Sequence, residues 1–374
     1  SLMFKGTSKV PSGEFSRRVS SLGGSDNAYT KNTATVYFET VAAKNLPEVL
    51  KMEADRMVNL NFSDKDFLNE MSVIREERRL RTEDSPSGAL YEKLLDSMYQ
   101  KHYNRAPVIG QMADLNTLKA IDLRRWYQQW YVPNNATLVV VGDVNATETL
   151  KTVTQLFGGL KAKPLPQRRD LNEAPRSQAA TVSIEHNTRQ PMFMSLYNVP
   201  KLTKINDAEP YALDMLSTVL SGNSSSRYSK KLLRGEAVAL SANTYYSGLG
   251  RDNGMFGITG MPAEGVSVEK LHNMMLDEIR HIAKEGVPEA ELEIIRRQYI
   301  TDKIYEKDSI ANQADLILTL ESAGLSYRDE DEIERRNLAV TSQAIQDAAK
   351  TVLNGFATTG IVNPRSSAAE GAKP

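Results

Sequence analysis

The chain passes twice through the same order of elements, and this repeat constrains its fold more than any single motif. Each pass opens with Thr-, Tyr- and Val-rich extended segments and continues with amphipathic helices, at a period of roughly 190–200 residues. In the first pass, residues 26–41 read as a strand, or as two with a kink near Lys31 and Asn32. Helices follow over 46–59, 64–81 and 89–99, then an amphipathic helical stretch within 114–131, and the apolar run ATLVVV at 136–141 reads as a strand. A helix over 147–156 closes the pass. In the second pass, strands are expected at 181–186 and 192–199, a helix at 208–220, a short helix at 227–233, and a strand pair at 238–246 and 254–261. Helices at 267–285, 288–305, 311–324 and 342–353 follow, and a short strand at 360–362 answers ATLVVV. Between the passes, the proline- and charge-rich stretch 161–176 reads as a linker. The expected fold is therefore α+β. It is an internal duplication of two homologous domains, residues 1–162 and 177–374 joined by 163–176, each an antiparallel sheet packed with helices.

Bulk charge is nearly balanced, with 46 Lys and Arg against 47 Asp and Glu. That balance gives no electrostatic footprint for nucleic acid or an anionic membrane. No apolar run has spanning length, so no transmembrane helix is expected. With no cysteine there is no disulfide, thiolate nucleophile or Cys-ligated zinc. The four histidines, His102, His186, His272 and His281, show no metal-site spacing to one another, and structural roles are expected for all four.

The chemistry concentrates in the helix at 64–81. Ser63 is its expected N-cap, with Asp66 three residues on as a capping-box variant. Phe67, Met71, Val73, Ile74 and Leu80 spread over one broad arc. Glu70 and Glu77 fall inside the arc within roughly 20° of each other, because seven residues make nearly two turns. Carboxylates in an apolar stripe are costly unless a cation, a metal or hydrogen bonds compensate them. A pairing with Arg or Lys elsewhere, a stripe less buried than it looks, or a metal would each explain the pair. The aromatic cluster Trp126, Tyr127, Trp130 and Tyr131 reads as core and helix-end packing.

Several stretches, in joint order and spacing, resemble the pitrilysin/insulinase-type zinc peptidases, in the branch that includes the mitochondrial processing peptidases. They are MFKGT at 3–7, GGSDNAYT at 23–30, ADRM at 54–57, Glu70 and Glu77 within EMSVIREERR, VIG at 108–110, YVPNNATLVVVGD at 131–143, and SSSRYSKKLLRGEAVALSA at 224–242. The family's zinc site is an H-x-x-E-H helix running into the MFKGT-like stretch, with a glutamate roughly 75 residues later as third ligand. Ser1 stands where the second histidine would be, and Glu77 falls at the third ligand's place. Glu70 matches a second acidic residue that supports the ligands or the attacking water. The resemblance thus implies a first domain truncated at its N-terminus, without the H-x-x-E-H residues and their general base. It implies a zinc-dependent metalloendopeptidase in the intact protein, and a chain that by itself neither holds zinc tightly nor cleaves peptides.

The resemblance also places the substrate. Asn27, Ala28 and Tyr29 lie on the family's edge strand, which an extended peptide joins through backbone hydrogen bonds. Arg234 matches a substrate-contacting arginine, whose companion tyrosine position falls near Leu240 or Ser241. Arg227 reads as a surface arginine. The implied partners are a peptide and a homologous subunit, as a homodimer or heterodimer, and the family favours the bacterial periplasm. The alternative is a non-catalytic partner subunit that shapes a peptide chamber for an active homologue.

Overall fold

The computed structural model describes residues 2–171, 173–174, 176–251 and 253–365. Ser1 lies outside them. In chain order the elements are α1 (Glu14–Ser21), β1 (Ser25–Thr30), β2 (Thr35–Thr40), α2 (Leu46–Asn59), α3 (Asp64–Arg78), α4 (Pro86–Met98), α5 (Met112–Thr117), α6 (Ala120–Trp130) and α7 (Ala146–Phe157). They continue with β3 (Ala180–His186), β4 (Met192–Val199), α8 (Ala208–Ser221), β5 (Ala239–Ser247), β6 (Gly254–Pro262), α9 (Val268–Glu285) and α10 (Glu289–Lys307). The last are α11 (Ile310–Ser322), α12 (Glu330–Leu338), α13 (Ser342–Asn354) and β7 (Thr358–Pro364). The chain is thus a mixed α and β fold. It divides into two compact units, one of Ser1–Arg79, Val108–Asp170 and Ser309–Leu318, the other of Leu80–Pro107, Leu171–Asp308 and Thr319–Pro374.

In the first unit, β1 and β2 form a two-stranded antiparallel hairpin, so the 26–41 stretch is two strands with the break where the sequence placed its kink. Val19, Phe15 and Val10 pack with Val49 and Met52 of α2 in one small cluster. Phe62, Phe67, Met71 and Leu115 form another. The run 136–141 is not a strand, contrary to expectation. It has no ladder partner among the described residues, and Leu138 is exposed. Apolar content alone does not make a strand when no neighbour takes up the backbone groups. The aromatic cluster is likewise less buried than expected. Trp126 is 60% exposed and no residue of α6 is buried, although Tyr127 reaches in to bond the Arg56 carbonyl and the Leu60 amide.

The second unit is built on a five-stranded sheet in the order β3-β7-β4-β6-β5. It is not wholly antiparallel, because β3 runs parallel to β7. One face carries Phe193, Phe256 and Ile258 under α8, α9 and α13 in the largest core of the chain. On the other face, Leu90, Leu94, Leu95 and Met98 of α4 pack with Leu196, Met255 and Val362. The fit there is close: a Cβ on Gly360 would stand 2.5 Å from a Leu90 methyl. The short helix expected at 227–233 appears as a π-helical turn, Ser229–Gly235.

Candidate functional site

The acidic helix begins as its sequence dictates. The Ser63 side chain accepts from the Asp66 amide at 3.1 Å, and the Asp66 carboxylate accepts from the Ser63 amide at 2.9 Å. This capping box fixes the first turn of α3. Phe67 and Met71 then turn inward, while Val73 and Leu80 are 58% and 57% exposed. The apolar arc is therefore only half covered. The helix gives way at Arg79–Glu83 to a π-helical turn rather than continuing to Arg81.

Glu70 is buried at 9% exposure, and Lys5 Nζ stands 2.7 Å from its Oε1. A lysine from the MFKGT stretch thus answers the first carboxylate, one of the explanations the sequence left open. Glu77 is half-buried on the next two turns. Seven residues of helix rise by roughly 10 Å.

Asn27, Ala28 and Tyr29 lie on β1, opposite Phe38, Tyr37 and Val36 of β2. The Ala28 amide is held by the neighbouring Asn27 Oδ1 at 2.8 Å, a local substitute for a strand partner. The Tyr29 hydroxyl donates to Asp315 of α11, and burial together with that carboxylate pushes the phenol up. Asp315 was not legible as a partner, since 286 positions separate the two residues. Lys5 stood inside a motif but carried no signal of its ion pair.

Arg234, in the second unit, is exposed and turned onto its own chain. Its guanidinium donates to the Ser229 carbonyl at 3.4 Å and to the Ser224 carbonyl. It braces the serine-rich loop. Arg227 is not the surface residue the sequence suggested. It is 6% exposed, with Nε and Nη2 each 2.9 Å from the Glu291 carboxylate.

Two family descriptions match the chain, "Insulinase (Peptidase family M16)" over residues 1–111 and "Peptidase M16 inactive domain" over 117–299. The chain belongs to the insulinase-type peptidase family M16. Zinc protease PqqE of Helicobacter pylori is 29% identical over 322 residues, covering 84% of this chain and 71% of that protein. An uncharacterized zinc protease of Streptomyces coelicolor is 25% identical over 372 residues, 97% of this chain and 79% of its own length. Among solved structures, a protease from Helicobacter pylori matches with a TM-score of 0.91 at 26% identity, over 97% of this chain and 88% of that one. The first half of the periplasmic protease PqqL from Escherichia coli shares the fold, with a TM-score of 0.76 at 19% identity over 96% of this chain and 81% of that one.

The M16 relatives are named for zinc, and the donor set of this chain can be tested against it. Among the described residues, no group of three or more His, Cys, Asp or Glu side chains could hold a metal ion. All four histidines fall in the second unit, whereas Glu70 and Glu77 fall in the first. The described residues do not make the three-ligand site a catalytic zinc requires.

Proposed function

We propose that this chain is the body of a zinc metalloendopeptidase that cleaves extended or unfolded polypeptides. In this reading the intact enzyme draws its imidazole ligands and general base from an H-x-x-E-H segment that these 374 residues do not contain. Glu77 is the chain's own metal ligand and Glu70, held by Lys5, the supporting carboxylate. The observation that carries the reading is the pair of carboxylates on one half-covered helix, in a unit that has no histidine or cysteine of its own. One carboxylate confers little zinc affinity, so the chain alone is catalytically silent. Asn27, Ala28 and Tyr29 form the edge that a peptide joins, and Arg234 is a substrate contact. Residues 1–162 and 177–374 act as two domains about the 163–176 linker. The branch is that of the mitochondrial processing peptidases, the working form is a homodimer or a heterodimer with a homologous subunit, and the family resemblance favours the bacterial periplasm.

The test on this chain is calorimetric titration with zinc beside a quenched fluorescent peptide assay. The expected result is no stoichiometric binding at about micromolar zinc and no cleavage. Tight binding of one zinc, or cleavage that a chelator stops, would refute the role assigned to the absent ligands. The second reading is a non-catalytic partner subunit that shapes a peptide chamber for an active homologue. It predicts that the full-length protein also lacks zinc, yet raises the activity of a zinc-bearing homologue.

A further inference from the structure

The stretch ADRM at 54–57 has no part in the acidic face or the peptide strand, yet its arginine is the most enclosed charged side chain among the described residues. Arg56 is 2% exposed. Its guanidinium carbon lies 4.1 Å from the ring centroid of Phe15, 4.8 Å from that of Phe4 and 4.8 Å from that of Tyr37. Nη2 reaches Glu39 at 3.3 Å and also bonds Glu53, one turn back on α2. The Arg56 carbonyl accepts from Tyr127 at 2.9 Å, and the Tyr37 hydroxyl meets that of Tyr131 at 2.7 Å. One buried cation therefore gathers Phe4 of MFKGT, α1, both anchoring residues of β2 and the aromatic end of α6.

The register of the hairpin shows what this gathering does. Tyr37 and Glu39 stand opposite Ala28 and Asp26, so Arg56 grips β2 at the two positions that bracket Asn27. A two-stranded hairpin is marginal on its own and takes its height and tilt from whatever its inner face packs on. Here the inner face of β2 is Tyr37 and Glu39, while Phe38 between them is 41% exposed on the other side. Burial, then the neighbouring Glu53, push the Glu39 carboxyl well up against the pull of Arg56, with Asp26 across the strand adding to the rise. A guanidinium suits the place because its plane stacks on rings while its edge bonds carboxylates, which an ammonium cannot do together.

We propose that Arg56 is a positioning residue for peptide binding: by holding Tyr37 and Glu39 it presents the Asn27–Tyr29 edge to an incoming extended peptide in one fixed register. The inference rests on the edge-strand reading above.

The experiment uses the full chain with Arg56→Met and Arg56→Lys. Amide hydrogen exchange is followed over residues 25–40, and a fluorescein-labelled peptide of about ten Ala, Val and Thr residues is titrated by anisotropy. Both variants are expected to speed exchange over 27–30 by about tenfold or more and to weaken peptide binding by about tenfold, with exchange over 268–285 unchanged. Tyr37→Phe keeps the stacked ring and is expected to behave as wild type, whereas Tyr37→Ala reproduces Arg56→Met from the hairpin side and serves where the arginine variant fails to fold. Exchange and affinity both within about twofold of wild type in folded Arg56→Met, or in Tyr37→Ala, overturn the proposal. A wild-type chain that does not bind the peptide overturns the edge-strand reading, and the proposal falls with it. That outcome is told apart by the exchange data, which report the grip on the hairpin whether or not peptide binds.

Discussion

Glu291→Gln should destabilise the second unit strongly although it removes only a charge from a helix surface. Arg227 is buried at 8% side-chain exposure and makes a two-pronged pair with Glu291, each prong 2.9 Å. Its remaining carboxylate, Glu278, is farther away at 3.6 Å and is shared with Lys231. Nη1 of Arg227 has no hydrogen-bond acceptor. Removing one member of a buried pair costs about 3–5 kcal/mol, because the other charge stays buried. Glu291 is 26% exposed, so water offsets part of that loss, and about 2–3 kcal/mol is expected. For a unit of this size the loss corresponds to roughly 5–10 °C in Tm. Arg227→Met combined with Glu291→Leu replaces the pair with apolar side chains and should cost less than the sum of the single variants, with a coupling of at least about 1.5 kcal/mol. The assay is urea unfolding by far-UV circular dichroism. Tryptophan fluorescence monitors the first unit separately, since Trp126 and Trp130 both lie there. Single variants within about 0.5 kcal/mol of wild type, or costs that simply add, would refute the structural role of Arg227.

Further outcomes follow from the second unit's core and from Ser63. Burial, then Arg280, lower the His272 pKa, and its Nε2 lies 3.1 Å from the buried Ser195 hydroxyl. The neutral ring is therefore favoured in the fold, so stability is full above the unfolded histidine value and falls as pH drops below about 6.5; His272→Gln should flatten a melting profile taken across that range. Leu94→Ala, at a fully buried site between α4 and the sheet, should cost about 3 kcal/mol in chemical unfolding. Gly360→Ala should cost about 1–3 kcal/mol by crowding Leu90 and Leu94, and Leu94→Ala should relieve part of that cost in the double variant. Ser63→Ala should cost about 1 kcal/mol through the lost cap and raise exchange in the first turn of α3.

What was legible in the sequence was local. The helix at 46–59, the strand at 192–199 and the Ser63 capping box follow from periodicity and from side chains that bond their own neighbours. The two carboxylates of α3 were visible because seven residues bring them back to one side. What was not legible depended on distant partners. The 136–141 run carries strand composition but has no ladder among the described residues, and composition cannot supply one. The parallel pairing of β3 with β7 joins segments that lie at opposite ends of the second half. Arg227 looked like a surface arginine until Glu291, 64 positions on, enclosed it. Arg56 was visible as part of a motif, but the rings around it come from Phe4, Phe15 and Tyr37, and no short-range pattern links them.

Under the proposed function, Glu77 is a metal ligand in a peptidase whose remaining ligands lie outside these residues. The measurement that tests it most directly is zinc content together with quenched-peptide cleavage in the full-length gene product, wild type beside Glu77→Gln. If Glu77 is that ligand, the wild type carries about one zinc per chain and cleaves the peptide, and the variant loses both. Zinc and activity that survive Glu77→Gln would contradict the assignment of the ligand, and a full-length protein with neither zinc nor cleavage would contradict the enzyme reading.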